Sequence, residues 1–333
     1  MAASAHTPDR RSPITRFREV GVVAFLLVIA LVTTLAQPRF LQPENLRSIL
    51  LDIPLLVVVA MGMTAVIVSR NIDLSVGANL GLSGMIVGML FRDHPGLPIA
   101  AGVLIGILCG ALLGAFNGFL ITACGVPAII ATLGTLSVYR GLVFVISNGV
   151  QVDPVDLPPE LIRLSQTSPI GLPWLVLLAL VIAGAAHLLL TYHRAGRAVY
   201  AIGGNPEAAR LAGIGVSRYV FGIFLVTGAL SGLAGVMYAS RFGFINPGQT
   251  GVGFELNVIA ATVIGGTQVF GGVGTAFGTF LGCLLLGVIN NALSIAQLSA
   301  FWQLAVYGAI ILLALLADSM ASRRGPRRAA SGA

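Results

Sequence analysis

Residues 98–122 read PIAAGVLIGILCGALLGAFNGFLIT, a run without a single Asp, Glu, Lys or Arg. A helix on the surface of a soluble domain needs a polar face, and this stretch has none. Its length matches the roughly 20 apolar residues that an α-helix needs to cross the hydrocarbon core of a bilayer. Within it Gly106, Gly110, Gly114 and Gly118 recur at every fourth position, so they line one face and let another backbone approach closely. Gly274, Gly278 and Gly282 repeat the spacing later in the chain. The reading is a transmembrane helix packed through small residues.

The rest of the chain agrees. Of 333 residues 56% are hydrophobic and only 9% charged, and the mean hydropathy is +0.95. Soluble proteins carry about 25% charged residues. Both a soluble domain and a disordered chain are excluded, and the chain's surroundings are membrane lipid. The net charge of +7 comes from 19 Arg and no Lys. Three Arg clusters dominate: Arg10, Arg11, Arg16 and Arg18; Arg194, Arg197, Arg210 and Arg218; Arg323, Arg324, Arg327 and Arg328. Clusters between apolar runs follow the positive-inside bias of membrane proteins and do not call for nucleic acid. Cys109, Cys124 and Cys283 lie scattered in apolar stretches, without disulfide or metal-ligand spacing, and are read as buried, inert thiols. The first apolar run has no small-residue cleavage site, so no cleavable signal is expected.

Segmenting the chain by apolar runs gives an all-α polytopic membrane protein. Val20 to Ala36 is the first span, and Phe40 to Ile53, with its charges and Pro43, is expected to be an interfacial helix. Spans follow at Pro54 to Ser69, Leu74 to Phe91, Pro98 to Thr122, Pro127 to Ser147 and Gly171 to His193, then at Tyr219 to Ser240. Leu256 to Phe270 is a short span or re-entrant segment, and Thr275 to Ile295 and Phe301 to Ala317 complete the set. This makes about 10 transmembrane helices with both termini cytoplasmic, an even count that puts all three Arg clusters on one side. Residues 1–333 then form a single transmembrane domain, with residues 1–19 and 319–333 as cytoplasmic tails and 194–218 as a cytoplasmic loop. Asn148 to Ile170, rich in acids and prolines, is an outer aqueous loop.

Polar residues at membrane depth are costly and are functional candidates by default. Asp73 lies at a break between spans and either caps the following helix or meets solute. Arg140 is deep in an apolar run, where it either holds a carboxylate or loop carbonyls or contacts solute. Asn117, Glu255, Asn290, Asn291 and Gln303 are candidates for a pathway or for interhelical hydrogen bonds. Gly81-Leu82-Ser83-Gly84 resembles an intramembrane serine-protease motif, but the one histidine within a span, His187, lies near a membrane edge while Ser83 is mid-span. Without Lys no Walker-type ATP site is possible, so the chain is read as a non-enzyme with no bound cofactor and no metal site.

The most polar stretch between spans contains RAVYAIGGNPEAARLAGIGVSR, residues 197–218. Gly203 and Gly204 are expected to form a flexible turn, Asn205 an N-cap and Pro206 the first helical residue. A helix over Glu207 to Leu211 would end near Gly213. Two turns of helix are marginal in isolation, so it must dock on something or serve as a mere linker.

The chain from about Arg18 to Asp318 resembles the permease subunits of ATP-binding-cassette importers for monosaccharides. The stretches that carry the likeness are GMTAVIVSRNIDLSVGANLGLSGM, GVPAIIATLGTLSVYRG, RAVYAIGGNPEAARLAGI, GVGFELNVIAATVIGGTQVFGGVGTAFGTFLG and GVINNALSI, in the family's order. The resemblance is to ribose-type permeases, with autoinducer-2 and rhamnose permeases nearest. It implies a type II-like ABC importer permease in which a short cytoplasmic helix rests in a groove of the ATPase. Carried over, that coupling helix comprises Asn205, Pro206, Glu207, Ala208, Ala209, Arg210 and Gly213. It further implies a separate ABC ATPase subunit that uses ATP, a second permease chain, identical or homologous, and an extracytoplasmic solute-binding protein, all at a bacterial inner membrane. The competing reading is a self-contained secondary transporter or facilitator, which would need a deep ionisable residue or a sodium site.

Overall fold

A computed structural model describes residues 13–165 and 171–297, with scattered positions between 302 and 312. Its helices are α1 (Pro13–Ala36), α2 (Pro43–Val68), α3 (Val76–Asp93), α4 (Ile99–Thr122), α5 (Ala128–Ser147), α6 (Pro159–Arg163), α7 (Trp174–Tyr192), α8 (Arg194–Gly204), α9 (Pro206–Leu211), α10 (Val216–Phe242), α11 (Phe254–Ile264) and α12 (Ala276–Ile295). Among the described residues seven of these are long and apolar enough to cross a membrane, all except α3, α6, α8, α9 and α11. Strand pairing among them is limited to one isolated bridge, Val152 with Ile245.

The seven spans fall short of the ten expected, for identifiable reasons. The helix expected at Leu74 to Phe91 forms as α3, but Arg92 and Asp93 belong to its last turn, which lowers its apolar character. The expected short span forms as α11, whose 11 residues cover about 16 Å, half a membrane. Phe301 to Ala317 lies largely outside the described residues, as does Gln303.

One segmentation is corrected outright. Phe40 to Ile53 is not a separate interfacial helix: α2 runs through Pro54 as one helix of 26 residues, about 39 Å long. Proline within a helix is tolerated where neighbouring helices satisfy the freed carbonyl. The charges that suggested an interfacial helix belong to the N-terminal turns of α2, where Arg241 Nε donates to Asp52 Oδ1 at 2.9 Å and Arg241 Nη2 to Ser48 Oγ at 3.1 Å. Below them α2 is buried almost continuously from Ile53 to Val68, packed by α7, α10, α11 and α12.

The glycine stripes do what their spacing predicts. On α4 the buried residues are Gly102, Gly106, Gly110, Gly114, Asn117 and Gly118; Gly106, Gly110, Gly114 and Gly118 face α10, and Gly102 faces Phe91 of α3. A Cβ on Gly110 would strike Gly228 O, and one on Gly232 would strike Gly106 O. Gly84 of α3 meets Gly235 in the same way, and Gly278 and Gly282 of α12 seat the backbone of α11 at Gly265 and Ala261. Gly274 stands just before α12, against Thr267. The three thiols are free, but only Cys283 is buried; Cys124 is exposed at the end of α4, contrary to the expectation for all three.

Candidate functional site

The polar stretch between α7 and α10 folds as two helices. Gly203 and Gly204 do not form a flexible turn: they are the last residues of α8. Gly203 is needed for a close approach, since a Cβ there would run into Val68 O and Gly272. α9 forms as expected, with Asn205 Oδ1 accepting from Glu207 N at 3.0 Å and Ala208 N at 3.1 Å and Pro206 at the first position. Gly213 ends the turn in the left-handed region at φ +81°. Ala209 is buried against the bundle, whereas Glu207, Ala208, Arg210 and Leu211 are exposed. Leu211 is 91% exposed. Sequence reasoning missed this apolar tip; its one signal was a Leu in the last turn of a helix that has no room to bury it.

α8 anchors this tip to the bundle. Its apolar face buries Ala198, Val199 and Ile202, and Tyr200 OH donates to Gly274 O at 2.7 Å. Burial pushes the Tyr200 phenol above its ordinary pKa, which keeps the donor protonated. Arg70, in the linker after α2, donates from Nη2 to Gly204 O at 3.1 Å and from Nε to Phe270 O at 3.0 Å. Gly272 N donates to Val68 O at 2.9 Å. The end of α8, the α2–α3 linker and residues 268–275 thus meet at one junction.

The deep polar residues separate into two groups. Asp73 is not itself the helix cap. Its Oδ1 accepts from Ser75 N at 2.8 Å and from Ser75 Oγ at 2.7 Å, and Ser75 holds the N-cap position of α3. Asn117 Nδ2 donates to the same Ser75 Oγ at 2.8 Å and its Oδ1 accepts from Thr135 Oγ1 at 2.7 Å. Asp73 and Asn117 therefore belong to one buried network that ties the start of α3 to α4 and α5. Asn291 exchanges two hydrogen bonds with Asn45, at 2.9 and 2.8 Å, joining the ends of α12 and α2; Asn290 is half-buried beside it. Ser83 Oγ donates to Asn79 Oδ1 at 3.0 Å and meets no histidine there.

Arg140 and Glu255 behave differently. The chain leaves α10, pairs Ile245 with Val152 over Gly88 near the C-terminal end of α3, and then descends along α3. Gly251 and Gly253, both at φ +72°, turn it into α11. At that point Gly251 and Glu255 press against Gly77 in the first turn of α3. From Gly88 down to Gly77 is 11 residues of helix, about 16 Å. Asn79, in that same part of α3, donates from Nδ2 to Gly110 O at 3.1 Å and reaches Gly228 O at 3.5 Å, close to the midpoint of α10. The half-helix α11 therefore starts half-way through the bundle. There Arg140 Nη1 donates to Thr250 O at 2.6 Å, the loop-carbonyl role weighed for it from sequence. Arg140 Nη2 and Glu255 Oε2 are buried and have no partner among the described residues. The described residues hold no group of His, Cys, Asp and Glu suited to a metal ion.

The family described as branched-chain amino acid transport system / permease component matches residues 45–315. The D-allose transport system permease protein of Escherichia coli (strain K12) is 37% identical over 297 residues, which make up 89% of this chain and 90% of the relative. The autoinducer 2 import system permease protein of Enterobacter sp. (strain 638) is 38% identical over 302 residues, 89% of this chain and 85% of the relative. The ribose import permease protein of Haemophilus influenzae is 35% identical over 302 residues, 89% of this chain and 91% of the relative. No solved structure matches the chain. A multi-pass bundle and similarity to import permeases over about nine-tenths of the chain agree: the chain belongs to this family of transport-system permease components.

Proposed function

We propose that the chain is the membrane-spanning subunit of an ABC importer that passes a monosaccharide or sugar-like solute, of the allose, ribose, rhamnose or autoinducer-2 kind, into the cytoplasm. Sequence similarity over almost the whole length supports the transport class. In this reading the protein sits in a bacterial inner membrane in a type II-like arrangement of ten crossings, with both termini and residues 194–218 on the cytoplasmic side. Two permease chains, identical or homologous, work with two ATPase domains and an extracytoplasmic binding protein. ATP is used by the ATPase subunit, and this chain holds no cofactor of its own.

The observation that carries the reading is α9: a capped helix of six residues that exposes Glu207, Arg210 and Leu211 while its base is bonded into the bundle. So short a helix persists only if it is held, and the exposed side offers a surface for a motor subunit. Asn205, Pro206, Glu207, Ala208, Ala209, Arg210 and Gly213 are then the coupling element. Nucleotide-driven closure of the ATPases would push on α9, and α8 would pass the displacement to the junction at Gly272 and Arg70.

Reversing one charge on that surface tests this. Glu207→Arg is expected to reduce solute-stimulated ATP hydrolysis of the assembled complex to its unstimulated level, with membrane insertion intact. Stimulation equal to wild type would count against α9 as the docking element.

A further inference from the structure

The Arg140 guanidinium is only half used. Nη1 holds Thr250 O, while Nη2 is closed off from solvent and unpaired among the described residues, and Glu255 Oε2 is in the same condition. The two heads lie along one glycine face of α3. Glu255 Oε2 occupies the space a Cβ on Gly77 would take, and Arg140 Nη1 is 3.4 Å from where a Cβ on Gly81 would stand. Those glycines are one turn apart, roughly 5.4 Å. Among the described residues no salt bridge joins the two.

A buried guanidinium nitrogen and a buried carboxylate oxygen left without partners are unfavourable, because each has given up its hydration. Hydroxyl groups satisfy both kinds of atom, accepting from Arg140 Nη2 and donating to Glu255 Oε2. Water can fill this role, and a polyhydroxylated solute brings several such groups. The compensating charges favour a neutral solute over an ionic one. The position also fits, since broken helices that begin half-way across a bundle are where transported solutes bind.

We propose that Arg140 and Glu255, brought together on the Gly77–Gly81 face of α3 by the descending segment before α11, form a solute-binding station that holds a neutral polyhydroxylated solute through its hydroxyls. The station rests on the importer reading above and adds a site to it.

The test uses the assembled complex with its ATPase and binding protein in proteoliposomes. Labelled D-ribose, D-allose, L-rhamnose and autoinducer 2 serve as probes, and solute carried per ATP hydrolysed is the readout. Glu255→Gln keeps the shape of the side chain and Arg140→Lys keeps the charge, and gel filtration checks that each variant still assembles. Each is expected to lower the solute-to-ATP ratio about tenfold, the effect of losing one hydrogen bond to a charged group. A ratio equal to wild type overturns the station, whether both rates hold or both fall together, since the pair would then be only a brace. If the wild-type complex hydrolyses ATP but carries none of the probes, the importer reading fails and the station with it.

Discussion

Gly110 and Gly134 sit in neighbouring helices of the same bundle, yet a methyl group means opposite things at the two. At Gly110 an added Cβ meets Gly228 O and the backbone of Gly232; at Gly134 it meets nothing within 4 Å. Gly110→Ala is therefore expected to destabilise the protein by about 1–3 kcal/mol, the usual range for overpacking. Gly134→Ala is expected to be neutral or to stabilise by up to about 1 kcal/mol through helix propensity. Reversible unfolding in detergent micelles measures both, and equal shifts would refute the contact. The role of Gly110 was legible in the sequence, because a fourfold glycine spacing fixes a helix face whatever lies opposite. Arg140 and Glu255 were legible only singly, as charges in apolar surroundings. That both reach the same face of α3 depends on a loop that doubles back beside it, and the loop's two left-handed glycines carry no span-length signal.

Among the elements, α9 was the most readable: Asn205, Pro206 and Gly213 are local signals that act within one turn, and the helix formed between them. α8 was not, because paired glycines read as a turn when they in fact let a helix end lie directly on Val68 and Gly272. α2 was divided at Pro54 because proline disfavours an isolated helix; the neighbours that support it come from far along the chain. The exposed end of α9 supplies its own test. Burying a Leu side chain contributes about 1.5–3 kcal/mol, so Leu211→Asp is expected to weaken binding of the purified permease to its ATPase subunit by at least about tenfold. Titration of the ATPase onto nanodisc-embedded permease reads this directly, and an unaltered affinity would remove Leu211 from the docking surface.

For the whole molecule, composition and the run of apolar segments were enough to give a helical membrane bundle, and the structure keeps that while shortening α11 and submerging α3. A chain of this kind has no energy source of its own in the proposed scheme. Reconstituted alone in liposomes, it is expected to bring internal D-ribose or D-allose no higher than the outside concentration, with or without a proton or sodium gradient. Concentrative uptake under those conditions would favour the secondary-transporter reading. The seam between α4 and α10 has a bearing on how any stroke is delivered. Where carbonyl oxygens of one helix stand in the space of the other's missing side chains, neither can roll or slide without a collision. On this packing α4 and α10 are expected to move as a single beam, which leaves any hinge to other parts of the bundle.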